Sequence, residues 1–318
     1  MSRWLFVGPV PLSGIGQVMH KYAQLFNAEY ISFGDTPKET YDKTFAFILP
    51  QRESFEYVKN KFKPDIVMTV CETEPVHENY KLIFDTYPLV LVPSQFCKRI
   101  FKKQFPSANI ELFPHWPGNT PPVTMCEFPE KYTFYTIGNI LDPRKNINML
   151  IDAFVACKFE NARLIIKATC REKVTHIKVP NVLVVNGLLT DEDMNRVHEF
   201  GHCYINCSHS EGVGMGAVEA AVRDKPVIIG DFGGLQEYVK TPFVIHCTET
   251  SVGIHDFLFE PHMKWGAPSI QDLMKHMKTC YTDRITYWDH QYTKDFTSSS
   301  MLRAKLSNLS LALAGGSI

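Results

Sequence analysis

The sequence has no apolar run of membrane-spanning length. Stretches such as Leu89–Val92 and Val182–Val185 are strand-sized, far short of the ~20 residues a transmembrane helix needs. The N-terminus reaches Gly8-Pro9 too early for a signal-peptide core. There is no Cys-x-x-Cys pair: the nine cysteines are an odd number scattered between Cys71 and Cys280. Without a leader, that pattern implies reduced thiols and a cytoplasmic chain. Nor is there an excess of either charge. Lys plus Arg number 33 and Asp plus Glu 34, a formal charge of −1, and each half of the chain is balanced. A protein that grips nucleic acid through its phosphates is more basic than this, so no nucleic-acid partner is expected. Repeats and low-complexity tracts are missing as well.

What is present is a chain of 318 residues, enough for about two domains. Short β-rich runs alternate with helix-sized amphipathic segments. In the first part the expected strands are Trp4–Val7, Phe45–Leu49, Asp65–Val70, Leu89–Val92 and Ile110–Phe113. The expected helices lie near Gly16–Asn27, Ser54–Phe62, Pro75–Phe84 and Ser94–Phe105. A proline-rich break follows, with four prolines between Pro114 and Pro122, which neither a helix nor a central strand tolerates. The alternation then restarts, with strands at Thr133–Ile137, Arg163–Ala168, Val182–Val185, Cys203–Cys207 and Pro226–Ile229. Helices are expected at Ile147–Cys157, Asp191–Glu199, Ala217–Arg223 and near Leu235–Val239. Such alternation predicts an α/β protein built of two Rossmann-like, doubly wound domains facing across a cleft. The expected parts are an N-terminal domain over 1–114, a linker over 115–130 and a second domain over 131–282. A helical tail over 283–318 would pack back on the first domain. Ligand chemistry should then sit in loops that follow strands.

Three such loops carry suggestive residues. Cys207-Ser208-His209-Ser210-Glu211-Gly212-Val213-Gly214-Met215-Gly216-Ala217-Val218-Glu219 passes three glycines and opens a helix, so its backbone amides could approach an anion such as a diphosphate. Glu211 and Glu219 place two carboxylates with seven residues between them, one for the reacting end of a ligand and one for ribose hydroxyls. The plain alternative is a glycine turn with a solvated helix glutamate. Gly138-Asn139-Ile140-Leu141-Asp142-Pro143-Arg144-Lys145 delivers two adjacent cations to a helix start. Cations there oppose the helix dipole, which makes sense if an anionic ligand lies between. The third loop, Gly8 to Gln17 with Gly14 and Gly16, lacks the third glycine of a dinucleotide fingerprint, which disfavours a dehydrogenase.

Together these segments resemble the retaining GT-B glycosyltransferases, specifically glycosyltransferase family four. Glu211 to Ala220 resembles the family's E-G-F-G-L-P-x-x-E-A motif. Lys225-Pro226-Val227-Ile228 and Gly233-Gly234-Leu235-Gln236-Glu237 resemble the K-P-V-I and G-G-x-x-E segments after it. Arg144-Lys145-Asn146 is similar to the family's basic turn, Ser13-Gly14-Ile15-Gly16 to its first-loop glycines and Val92-Pro93-Ser94-Gln95-Phe96 to its V-P-S-x-F segment. The resemblance is dense over 131–240 and sparse but ordered over 1–114. It implies transfer of a sugar from a nucleotide-sugar donor (UDP- or GDP-linked) to a glycan, lipid-linked or protein acceptor, with retention at the anomeric carbon. No metal or other cofactor is implied. Glu219 would bind the ribose, Glu211 the sugar hydroxyls and Lys145 the diphosphate. Backbone at Gly14, Gly16, Gly138, Gly212, Val213, Gly214, Met215, Gly216 and Ala217 would assist, and Gly187-Leu188 would lie at the base. One departure matters: the family's phosphate-binding arginine falls here on Asn139. Either Arg144 substitutes for it, or the protein is a weak or inactive nucleotide-sugar-binding relative or scaffold. Met215-Gly216 in place of Leu-Pro is milder, because backbone amides do the binding there.

Glu72 and Glu74, after an expected strand, are candidates for the acceptor; a capped helix start is the plain alternative. His77 and His115 are candidates for a first-domain histidine. His198, His202, Cys203, Cys207 and His209 match no common zinc spacing, and no metal is expected. Lys98, Arg99, Lys102 and Lys103 alternate with Phe96, Ile100, Phe101 and Phe105 as an amphipathic helix. It could dock peripherally on a membrane or simply be a solvated face.

Overall fold

The computed structural model describes residues 3–11, 13–119, 131–170 and 172–314. Most of the expected linker, 120–130, therefore lies outside the described residues. The chain forms two compact units. The first comprises Met1–Gly118, Ser251–Trp265 and Asp295–Ile318; the second comprises Asn119–Thr250 and Gly266–Lys294.

In the first unit the elements run β1 (Trp4–Gly8), α1 (Gly14–Phe26), β2 (Glu29–Ser32), β3 (Lys43–Phe47), α2 (Arg52–Phe62), β4 (Ile66–Met68), α3 (Tyr80–Thr86), β5 (Val90–Val92), α4 (Gln95–Gln104) and β6 (Ile110–Leu112). The sheet has the order β2-β1-β3-β4-β5-β6, with every pair parallel. Parallel strands covered by helices on both faces read as continuous apolar runs. Leu5-Phe6-Val7, Phe45-Ala46-Phe47 and Ile66-Val67-Met68 are all buried. Phe6, Tyr22, Phe45 and Phe113 form an aromatic cluster at the centre. Ser13 caps α1 by accepting from the Gly16 amide at 3.0 Å. A Cβ at Gly16 would lie 2.2 Å from the Val10 carbonyl oxygen, so glycine is needed there for packing. Gly14 has open space beside it.

In the second unit the order is β7 (Tyr132–Gly138), α5 (Ile147–Cys157), β8 (Ala162–Ala168), β9 (Val182–Val185), α6 (Asp191–Phe200), β10 (Cys203–Asn206), α7 (Met215–Ala221), β11 (Val227–Gly230), α8 (Leu235–Tyr238) and β12 (Val244–Ile245). Its sheet, β12-β11-β10-β7-β8-β9, is again parallel throughout. Phe134, Leu150, Leu164, Ile166, Ile205, Ile228, Leu273 and Met277 form its core. The two sheets are the Rossmann-like pair that the alternation predicts.

The remaining elements are β13 (Cys247–Ser251), β14 (Lys264–Pro268), α9 (Ile270–Thr282), α10 (Gln291–Phe296) and α11 (Ser299–Ala314). The chain leaves the second unit at Ser251 and returns at Gly266. Between these points it packs in the first unit, where the Glu74 and Lys264 backbones exchange hydrogen bonds of 3.0 and 2.9 Å. The sequence reading kept 251–265 in the second domain, because nothing local marks a pairing with a residue 190 positions away. Expectation and structure also differ at Pro75–Phe84, where the helix begins only at Tyr80. Val76 is instead tied to α4, through the Gln104 side chain. In α11, Leu302 and Leu306 are buried, and the helix lies beside α1 within the first unit.

Candidate active site

The second unit brings two strand-following loops together around Glu211. The first is built by Asp142-Pro143-Arg144-Lys145-Asn146. The Asp142 side chain accepts from the Arg144 amide at 2.9 Å, Pro143 pre-sets the first position of a 3₁₀ turn, and Asn146 ends it in a left-handed conformation, φ 53°. Lys145 folds back over Gly138, where a Cβ would meet its side chain at 3.5 Å. The second loop follows β10. Its His209 amide donates to the Arg144 carbonyl at 2.8 Å, and Arg144 Nη1 donates to the Ser210 carbonyl at 2.8 Å, so the two loops are laced together.

Glu211 sits where they meet, its side chain only 8% exposed. Lys145 Nζ donates to Oε1 at 2.5 Å and Arg144 Nη1 to Oε2 at 2.9 Å. Ser208 Oγ at 2.8 Å and Asn206 Nδ2 at 3.3 Å add further bonds to Oε1. Burial alone would push this carboxyl up. The Lys145 and Arg144 charges and the hydrogen bonds from Lys145 and Ser208 outweigh it and hold the group well below the usual carboxylate range. Arg144 is committed a third time, through Nη2, to Asp142 at 3.2 Å. The backbone of Glu211 is also fixed: the Gly234 amide donates to its carbonyl at 2.7 Å. Gly233 has φ +108°, and a Cβ there would lie 2.5 Å from that oxygen, so position 233 requires glycine.

Beyond Glu211, Gly212 and Val213 lead to Gly214, which caps α7 at φ 78°. A Cβ at Gly216 would strike the Tyr204 hydroxyl at 2.3 Å. Ala217 is buried and Met215 half-buried. Glu219, on α7, is not part of the Glu211 cluster. It faces His198 Nε2 at 3.7 Å, and His198 Nδ1 in turn lies 3.0 Å from the Tyr135 hydroxyl. Asn139 makes a turn, its Oδ1 accepting from the Leu141 amide at 3.0 Å. Gly187 and Leu188 lie in the loop after β9, with Gly187 at φ +86°. Sequence reasoning did not connect Asp142, Asn206 or Ser208 with Glu211, and it weighed His198 only as a metal ligand. Asp142-Pro143 carries a turn signature, but nothing in Asn206 or Ser208 marks them before the fold is known.

In the first unit the acceptor candidates have partners. Glu74 pairs with Lys103 at 2.5 Å and Arg99 at 3.0 Å. The Lys103 hydrogen bond lowers its carboxyl, against burial and with help from Arg99. His77 Nε2 lies 3.5 Å from Glu260. Glu72 is half-buried. His115 is buried, which pushes its pKa down to about 3. The cations of α4 are also engaged: Arg99 and Lys103 with Glu74, Lys98 with Glu111 at 3.8 Å, and Lys102 with the Pro106 carbonyl at 3.4 Å. Among the described residues no helix is long and apolar enough to cross a membrane, and no group of three or more His, Cys, Asp or Glu could hold a metal ion.

Residues 127–251 match the family described as Glycosyl transferases group 1. No curated protein matches the sequence. Among solved structures, the chain is similar to Anabaena HepE in complex with UDP-glucose, at 14% identity and a TM-score of 0.69, covering 98% of this chain and all of that one. It is also similar to sucrose-phosphate synthase from Thermosynechococcus elongatus, at 12% identity and a TM-score of 0.67, covering 99% and 100%. A third is the pneumococcal O-GlcNAc transferase GtfA in complex with UDP and GlcNAc, at 13% identity and a TM-score of 0.61 over 85% of this chain. This chain spans only 57% of that enzyme's length. With two parallel six-stranded sheets and these neighbours, the fold is GT-B, and its 127–251 segment matches the Glycosyl transferases group 1 family.

Proposed function

We propose that the protein is a retaining glycosyltransferase that takes a sugar from a nucleoside-diphosphate donor, uses a glycan acceptor and needs no metal. The observation that carries this reading is the buried Glu211 carboxylate held between Lys145 and Arg144 in loops after β7 and β10. That is the edge at which parallel α/β sheets bind ligands. Support comes from the family match over 127–251 and from neighbours whose structures hold UDP or UDP-glucose.

In this reading Lys145 moves its hydrogen bond from Glu211 to the donor diphosphate. Arg144, anchored by Asp142 and the Ser210 carbonyl, stays with Glu211 and keeps it ionised. Glu211 then accepts hydrogen bonds from the sugar hydroxyls, and Glu219 from the ribose. Backbone amides over Gly212–Ala217 approach the phosphates, and Gly187-Leu188 receive the base. The anomeric C–O bond to phosphate breaks while a bond to the acceptor oxygen forms on the same face. The acceptor proton passes to the departing phosphate oxygen. Preplaced cations stabilise the charge that develops on the leaving group.

A specific observation favours a slower variant of this reading. Asp142, Arg144, Lys145 and Glu211 carry two positive and two negative charges, so the cluster is neutral before a diphosphate arrives. Arg144 is already spent on Glu211, Asp142 and Ser210. Adding a cation by Asn139→Arg should tighten nucleotide-sugar binding and raise turnover; unchanged kinetics would show that the cluster is sufficient as it stands.

The test is a thermal-shift panel of UDP-, GDP-, ADP- and dTDP-sugars with and without chelator. A ligand at 100 times its Kd stabilises by about 2.7 kcal/mol. No shift with any nucleotide sugar sinks the reading, and a strict Mn²⁺ requirement sinks its metal-independent form.

A further inference from the structure

We propose that Lys167 is a positioning residue for the donor: from the end of β8 it holds the turn 186–188 on which the nucleobase rests. The inference depends on the donor site described under the proposed function.

Lys167 is the penultimate residue of β8 and pairs with Val185 of β9. It is only 3% exposed. Its Nζ donates to the Gly187 carbonyl at 2.8 Å and to the Ala168 carbonyl at 2.5 Å, tying the ends of two neighbouring strands together. No carboxylate among the described residues pairs with it. Lysine is almost never buried unless paired, and an unpaired ammonium withdrawn from water costs stability that a leucine or methionine at this strand position would not. Burial accordingly lowers its pKa. A position that keeps a lysine at such cost is using its N–H donors.

What they hold is a turn with little support of its own. Gly187 adopts φ +86°, and no atom lies within 4 Å of where its Cβ would be. Glycine is thus required by the left-handed backbone and not by crowding. Asn186 secures the other side, accepting from the Val174 amide at 2.8 Å and donating to its carbonyl at 3.0 Å. Between the two clamps the backbone is fixed while Leu188 remains 68% exposed beside open space. β8 and β9 are the first and second neighbours of β7. The turn therefore lies about two strand spacings, ~10 Å, along the edge from the loop of Lys145. That matches the reach of a nucleoside from its phosphate to its base. Removing the ammonium leaves the Gly187 carbonyl without its donor and releases one clamp.

The experiment measures binding of UDP and uridine (GDP with guanosine and ADP with adenosine as alternates) to the full chain and to Lys167→Met. Nucleoside and nucleoside diphosphate should weaken by the same factor, about tenfold if the carbonyl's hydrogen bond is lost. KM for the donor should rise with kcat nearly unchanged, and amides 186–188 should exchange hydrogen faster without ligand. Lys167→Gln, a shorter side chain with a neutral donor, should weaken nucleoside and nucleoside diphosphate by a smaller but measurable common factor, about threefold, and it stands in where Lys167→Met does not fold. Loss of diphosphate affinity with uridine unaffected would overturn the proposal in favour of a simple charge effect. Unchanged affinities and exchange would also overturn it. If the unaltered chain binds no nucleotide at all, the donor reading fails with it. If nucleotide binds normally and only the Lys167 variants behave like the parent, the fault lies with this inference alone.

Discussion

Two glutamates in this molecule sit between two cations each, and they make opposite use of that arrangement. Glu74 is flanked by Arg99 and Lys103, with side chains 25%, 59% and 72% exposed. Glu211 is flanked by Arg144 and Lys145, with side chains 8%, 12% and 19% exposed. Each trio has one carboxylate and two cations, although Asp142 adds a second carboxylate beside Arg144. In the first case water and salt screen each pair, and exposed ion pairs are worth about 0–1 kcal/mol. In the second the charges have lost much of their hydration and depend on one another. Removing one partner leaves the others uncompensated, at a cost of about 3–5 kcal/mol for a buried pair. Burial, not the residue types, separates a solvent-screened network from one whose charges depend on each other.

The comparison can be broken from either side. The largest effect should come from Glu211→Gln, which keeps the shape and removes the charge. Transfer activity should fall by about 10²–10³-fold and chemical denaturation should show a loss near 3 kcal/mol. Near-normal activity would remove Glu211 from the mechanism. Lys145→Ala should lower kcat by about 10²-fold, and slow hydrolysis of the donor without acceptor should disappear with it. Donor hydrolysis that persists would mean another group neutralises the leaving diphosphate.

Acid should separate the two glutamates next. The folded-state pKa of Glu211 is depressed, so its contribution is present above the unfolded value near 4.5 and is lost as pH falls through the folded value. Stability of the parent should therefore decline on acidification below about pH 5, and Glu211→Gln should flatten that decline. Glu74, also depressed but more exposed, contributes with the same sign and less weight. The smallest effect should be that of Glu74→Gln at neutral pH, about 0.5 kcal/mol and smaller still in 1 M salt. A loss as large as that of Glu211→Gln would show that exposure does not separate the two clusters.

The parallel sheets were legible in the sequence because buried strands such as Phe45–Phe47 and Leu89–Val92 announce themselves as β-rich runs. β2 was not: Glu29-Tyr30-Ile31-Ser32 is a four-residue edge strand with one buried position, too short to show a pattern. α9 was missed although Leu273, Met277 and Cys280 recur at helical spacing and are buried. At the site, Glu211, Arg144 and Lys145 stood out as charged residues in strand-following loops. That Arg144 would be bound on three sides did not, because its partners Ser210 and Glu211 are 66 and 67 residues away. Glu74 looked equally promising on local grounds. Only the fold reveals that its carboxylate is taken by α4 and that its backbone pairs with Lys264.

The return of the chain to the first unit, at 251–265 and again from Asp295, bears on the order in which the protein is made. Synthesis delivers β1 through β6 first, yet Met263, Trp265, Leu302 and Leu306, all buried, come from segments translated more than a hundred residues later. Ribosomal emergence cannot finish the two units one after the other, as N-terminal-first folding of domains assumes. The early unit must wait, with the sites for its later segments uncovered, until nearly the whole chain has been synthesised. A nascent chain arrested near residue 240 should therefore be more sensitive to protease within 1–118 than one released at full length.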